Sequence, residues 1–90
     1  MTKKKNKYFV YLRRNYLINI RGELGISQKE VAKRAEMEPT VYNCIENGKL
    51  GSLMNAPKLL LLAQALGLEV KELCELERDY LNKVKEINET

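Results

Sequence analysis

The sequence contains no histidine and only two cysteines. Without histidine, serine–histidine and cysteine–histidine nucleophile pairs are excluded. Cys44 and Cys74 are isolated and have no second ligand at metal-binding spacing. They indicate neither a metal site nor a disulfide framework, and a reduced, cytoplasmic setting is expected. No glycine-rich phosphate loop is present. The longest purely apolar run, Leu59 to Ala63, is far short of a membrane span, and no apolar h-region follows the basic start. These absences argue against an enzyme, a cofactor, a bound metal and a membrane association.

What remains is one small domain. A chain of 90 residues, 44% apolar and 31% charged, has the composition of a soluble globular protein. It buries about 60–65% of its unfolded surface, so its stability margin is small. The net charge of +4 is unevenly spread: residues 1–22 carry +7 and no acid, residues 23–69 carry −1, and residues 70–90 carry −2. Attraction for an anionic partner is therefore concentrated at the N-terminus. A solvated, solubilising tail is the plainer reading of the same lysines.

The periodicity is helical throughout. Residues 1–6 read as a flexible basic arm. From about Lys7, the residues Phe9, Leu12, Tyr16, Ile20 and Leu24 form one stripe that Gly25 stops. Ser27 with Glu30 makes an S-x-x-E capping box for a helix from about Gln28 to Ala35, which buries Val31, Ala32 and Ala35. Residues 36–38 form a turn. Pro39 opens a third helix, which runs to about Asn47 and is closed by Gly48. Residues 49–54 are a loop. Asn55 caps a fourth helix, with Leu59, Leu60, Leu62, Ala63 and Leu66 as core candidates, and Gly67 ends it. A fifth helix spans about Val70 to Asn88. Its apolar positions are Val70, Leu73, Cys74, Leu76, Tyr80, Leu81, Val84 and Ile87. Cys74 reads as a small buried hydrophobe and Cys44 as an exposed thiol. Tyr42 reads as core, with its hydroxyl at the rim.

Two short helices joined by a three-residue turn make a helix-turn-helix, with the third helix as the recognition helix. The segments ELGISQKEVA, IENGK and NAPKLLLLAQALGL occur in order. Together they resemble the lambda-repressor-like, Cro/C1-type (XRE) helix-turn-helix family over roughly residues 16–76. The loop after Lys49 is about two residues longer than the common family form. The resemblance implies an all-α, five-helix domain with an extended C-terminal helix. It divides the chain into an arm (1–6), a DNA-binding domain (7–76) and a helical extension (77–90).

The resemblance also implies roles for individual residues. Ser27, Gln28 and Lys29 at the start of helix 2, and Asn47 and Lys49 past helix 3, would hold DNA phosphates. Arg21 and Glu46 match a structural salt bridge between helices 1 and 3. Breaking one partner of such a pair, if buried, costs about 3–5 kcal/mol. The base-facing positions fall on Pro39, Thr40, Asn43 and Cys44. Proline offers no donor and a thiol only a weak one. The Thr40 methyl suits thymine, and Asn43 can pair bidentately with adenine. Glu36 and Glu38 add negative charge close to DNA, so direct readout is expected to be weak. Lys3, Lys4 and Lys5 would compensate from the arm, each neutralised phosphate adding roughly −0.9 to the log–log salt slope.

Beyond the family's usual end, Tyr80, Leu81, Val84 and Ile87 continue an apolar stripe. With Leu61, where relatives carry a polar residue, this stripe suggests a dimer interface. The alternative is that it folds back on helix 1, at Phe9, Val10 and Leu12. The expected function is that of a sequence-specific regulator of phage or mobile-element type, a homodimer on double-stranded DNA. The alternative is an antitoxin-like or other protein-interaction module that uses helix 5, with weak or non-specific DNA binding.

Overall fold

The computed structural model describes residues 12–49 and 54–89. The basic arm with Lys3, Lys4 and Lys5, the apolar residues Phe9 and Val10, and loop residues 50–53 lie outside the described residues. Five helices follow in order: α1 (Asn15–Leu24), α2 (Gln28–Arg34), α3 (Pro39–Asn47), α4 (Ala56–Leu66) and α5 (Val70–Glu89). The described residues are thus all-α, as expected.

Local chemistry sets most of the boundaries. The Ser27 hydroxyl accepts from the Glu30 amide at 3.1 Å, and the Asn55 carbonyl oxygen accepts from the Lys58 amide at 3.0 Å. Each satisfies a backbone donor that a helix start leaves unpaired. The Glu30 carboxylate pairs one turn on with Arg34, at 2.9 Å. Pro39 occupies the first turn of α3. Gly25, Gly48 and Gly67 end α1, α3 and α4 in the left-handed conformation.

The core is built by α1 to α4 with the start of α5. Leu17, Val31, Ala32, Ala35, Tyr42, Ile45, Leu62, Ala63, Ala65, Leu66 and Leu73 are buried together. Burying each large aliphatic side chain contributes about 1.5–3 kcal/mol. α2 packs on α3 and α4, while α1 braces α3 and α4 from behind.

Four expectations need correction. First, α1 starts at Asn15, whereas the stripe suggested about Lys7; of that suggested start, residues 7–11 lie outside the described residues, but 12–14 are not helical. The reason is tertiary. The Arg14 amide donates to the Glu46 carbonyl at 2.7 Å, and the Leu12 carbonyl accepts from the Tyr80 hydroxyl at 2.8 Å. The segment is held as a strap across the end of α3. Second, Cys74 is exposed, because α5 turns Leu73 and Glu77 inward. Third, Leu60 is exposed, since α4 buries Leu62, Ala63, Ala65 and Leu66 instead. Fourth, Tyr42 is wholly buried, hydroxyl included, because that hydroxyl donates to the Glu46 carboxylate at 2.8 Å.

The strap explains why Gly48 is buried. Its φ is +65°, and a Cβ there would overlap the Leu12 carbonyl and lie 2.6 Å from the Tyr80 hydroxyl. Both the left-handed backbone and the crossing chain call for glycine.

Candidate nucleic-acid interface

The candidate interface is the outward face of α3, framed by the start of α2. On α3, Tyr42, Ile45 and Glu46 point inward, so Thr40, Asn43, Cys44 and Asn47 fall toward the outward side, while Pro39 is exposed at the helix start. Pro39 and Thr40 are exposed, whereas Asn43, Cys44 and Asn47 are half-buried; Cys44 is thus not the exposed thiol expected, because it lies beside the inward-facing Ile45 on α3. Val41, 36% exposed, flanks this face and was not singled out from sequence. Ser27, Lys29 and Lys49 are exposed, and Gln28 is half-buried beside α3.

Behind the face lies a polar network centred on Glu46, which is 1% exposed. Arg21 donates to both its oxygens, from Nε at 2.7 Å and from Nη2 at 3.2 Å. This is the expected α1–α3 salt bridge, in forked geometry. Gln28 Nε2 donates to the same carboxylate at 2.6 Å, and Tyr42 adds its hydroxyl. Burial pushes the Glu46 carboxyl up, but the bonds from Arg21, Gln28 and Tyr42 outweigh it and hold the group below its ordinary range. The Tyr42 hydroxyl is pushed well up, by burial first and by the carboxylate second.

The network continues to the surface. Asn43 Nδ2 donates to Gln28 Oε1 at 3.1 Å, and Asn47 Nδ2 donates to Asn43 Oδ1 at 3.2 Å and to the Asn43 carbonyl at 3.0 Å. Gln28, Asn43 and Asn47 are therefore brought together as one polar surface.

A second buried cluster was missed from sequence. Arg14, 2% exposed, forks onto Glu77 through Nε at 2.9 Å and Nη2 at 2.8 Å. Its Nη1 donates to the Ile45 carbonyl at 2.6 Å, and the Tyr80 ring stacks 4.5 Å from its guanidinium. The Tyr16 hydroxyl donates to Glu77 at 2.5 Å. Arg14 thereby caps the carbonyl end of α3 and ties it to α5. Desolvation alone would lower the Arg14 pKa, but the Glu77 carboxylate more than offsets this and the net shift is upward. The signal in the sequence was an arginine and a glutamate each lying within an otherwise helical pattern, 63 residues apart, and no local rule connects them.

Of the residues assigned to a dimer interface, Tyr80 is half-buried and its hydroxyl serves Leu12. Leu61 packs against the core. Leu81 and Ile87 are each 43% exposed, and Val84 is half-buried. Among the described residues, no helix is long and apolar enough to cross a membrane, and no cluster of metal-ligating side chains occurs.

Two helices meeting at a tight turn, the second with a polar outward face, define a helix-turn-helix DNA-binding domain. A family model described as helix-turn-helix matches residues 17–73, nearly the span over which the sequence motifs run. The chain belongs to this family, in its lambda-repressor-like, Cro/C1-type form. Comparison with curated proteins and with solved structures gives no significant match. The family is one of DNA-binding transcription regulators, generally not enzymes, and the chain is a regulator of this general kind.

Proposed function

We propose that the protein is a sequence-specific repressor of phage or mobile-element type that acts as a cytoplasmic homodimer on a pseudo-palindromic operator. Two copies of α3 enter successive major grooves, about 34 Å apart. Repression follows from exclusion of polymerase. Thr40, Asn43 and Cys44 face bases, with Pro39 at the helix entry. Ser27, Gln28, Lys29, Asn47 and Lys49 contact phosphates, and Lys3, Lys4 and Lys5 add contacts from the arm. The observation that carries the reading is the Gln28–Asn43–Asn47 surface, a polar patch on the outward side of α3.

In this reading dimerisation uses Leu81, Val84 and Ile87, with Leu61 contributing from α4. Tyr80 supports the interface from within its own chain, because it anchors the strap. The helical extension available to a partner then begins after Tyr80. The test is binding-site selection followed by fluorescence anisotropy at about 150 mM salt. A selected duplex should bind about tenfold or more tighter than bulk DNA. Equal binding of all duplexes contradicts the reading.

The second reading is a protein-interaction module, antitoxin-like, that binds a partner through α5. The exposed Leu81 and Ile87 favour it. A stoichiometric partner recovered by pull-down, with DNA affinity indifferent to Gln28→Ala and Asn47→Ala, would select this reading over the first.

A further inference from the structure

We propose that Glu46 and Gln28 are specificity-positioning residues: a buried carboxylate fixes, through one glutamine, the direction in which the Asn43 amide faces DNA. The inference rests on the reading of α3 as the base-reading helix.

The argument is one of donors and acceptors. An ionised carboxylate can only accept. Each oxygen of Glu46 already takes two bonds: Oε1 from Arg21 and Gln28, Oε2 from Arg21 and Tyr42. Gln28 must therefore present its amino end to Glu46, which leaves its carbonyl oxygen facing Asn43. That oxygen in turn demands the amino end of Asn43, at 3.1 Å. The Asn43 oxygen is left on the side of Asn47, where it accepts at 3.2 Å. Reversing the Gln28 amide would set oxygen against carboxylate. Reversing the Asn43 amide would set oxygen against oxygen at Gln28 and nitrogen against nitrogen at Asn47. Only one setting satisfies every member, so polarity is relayed from the core to the surface.

Asn43 retains one N–H and one lone pair for a partner. Their order is fixed, with the donor on the α2 side and the acceptor on the Asn47 side. Adenine offers the matching pair, N7 as acceptor and the N6 amino group as donor. Guanine offers two acceptors and meets the Asn43 oxygen with a repulsive contact. Turning an A·T pair into T·A moves the adenine N7 and N6 groups across the groove. An amide free to reverse could serve either orientation, whereas a fixed one serves one. The relay thus converts a generic adenine contact into a strand-specific one. Gln28 keeps its second amino hydrogen, so a phosphate bond from the same side chain is compatible with this role.

The experiment measures relative affinity for a selected operator and for its substitutions at every base pair, using wild type, Asn43→Ala, Gln28→Ala and Glu46→Gln. Gln28→Met serves as a second variant that keeps the side-chain volume, and circular dichroism checks that each variant is folded. Asn43→Ala identifies the base pair that Asn43 reads. At that pair, wild type should prefer A·T over T·A by about tenfold or more. Gln28→Ala, Gln28→Met and Glu46→Gln should each reduce that preference to within about threefold, well under the value of a good bidentate contact, and leave preferences elsewhere unchanged. A loss of affinity uniform over all duplexes, with the A·T preference retained, would overturn the proposal, because it would make Gln28 a phosphate contact only. The side-chain amide signals of Asn43 in the DNA-free protein provide an independent readout. They should move on Gln28→Ala and on Glu46→Gln, and immobile signals would overturn the relay itself. A relay intact by this measure, in a protein without sequence preference, would overturn the proposal through the function on which it rests.

Discussion

Among the described residues, two arginine–glutamate pairs join distant helices or segments, look alike in sequence and differ in what they do. Arg14–Glu77 is sealed, its side chains 2% and 7% exposed. Arg21–Glu46 is open on one side, with the arginine 21% exposed and the carboxylate 1%. The sealed pair ties the N-terminal strap, the end of α3 and α5 into one body, with Tyr16, Tyr80 and the Ile45 carbonyl among its further partners within the fold. The open pair has an outlet, because Glu46 also holds Gln28, which holds Asn43 on the outward face of α3. The first pair fixes where α3 stands, and the second sets how its surface is arranged. The same chemistry thus serves architecture or surface according to whether its last hydrogen bond ends inside or outside.

The contrast can be broken at its strongest point first. Glu77→Ala leaves the buried Arg14 guanidinium without its carboxylate and should cost about 3–5 kcal/mol of stability, measured by urea unfolding. In a domain of this size that is a large share of the total. DNA affinity per folded molecule should change little, and an unchanged unfolding midpoint would contradict the sealed-pair account. Glu46→Ala should cost less, about 2–3 kcal/mol, because Arg21 can turn to water once its partner is gone. Unlike Glu77→Ala, it should also relax sequence preference.

The open pair can also be followed by acid titration. Glu46 is held below its ordinary range in the folded state. Its contribution is therefore complete above the unfolded carboxylate range, about pH 4.3, and is lost as pH falls through the lower folded value. Thermal melts from neutral to strongly acid pH should show a loss of stability in that window, and Glu46→Gln should flatten it. The smallest effect is expected at a site that neither pair touches. Glu36 holds φ at +59° in the turn between α2 and α3, a conformation in which a side chain is strained. Glu36→Gly should stabilise by about 0.5 kcal/mol, the relief of strain being partly offset by the added freedom of the unfolded chain. The same measurement of thermal midpoint checks it.

The sequence was legible wherever a rule is local. Ser27, Pro39, Gly48, Asn55 and Gly67 marked helix ends because caps depend on residues three or four apart. The Arg21–Glu46 pair was legible only through family resemblance, since 25 residues separate the partners. Arg14–Glu77 had neither aid. A periodic stripe through Leu12 and Tyr16 suggested continuous helix, and nothing nearby showed that Arg14 would leave it to cap α3. The candidate site was half legible. Gln28, Asn43 and Asn47 were each singled out, but as separate contacts; their joining into one network depends on the angle at which α2 meets α3. Cys74 was misplaced because an apolar residue on a long helix gives no sign of which side the core lies on.

The most direct test of the central claim, that the outward face of α3 meets DNA, is an amide-resolved NMR titration of the full chain with a selected duplex. The account predicts the largest shifts at Gln28, Thr40, Asn43 and Asn47, with Leu81 to Ile87 changing no further once the dimer is formed. Shifts confined to the end of α5, with the Gln28–Asn47 surface unmoved, would contradict it.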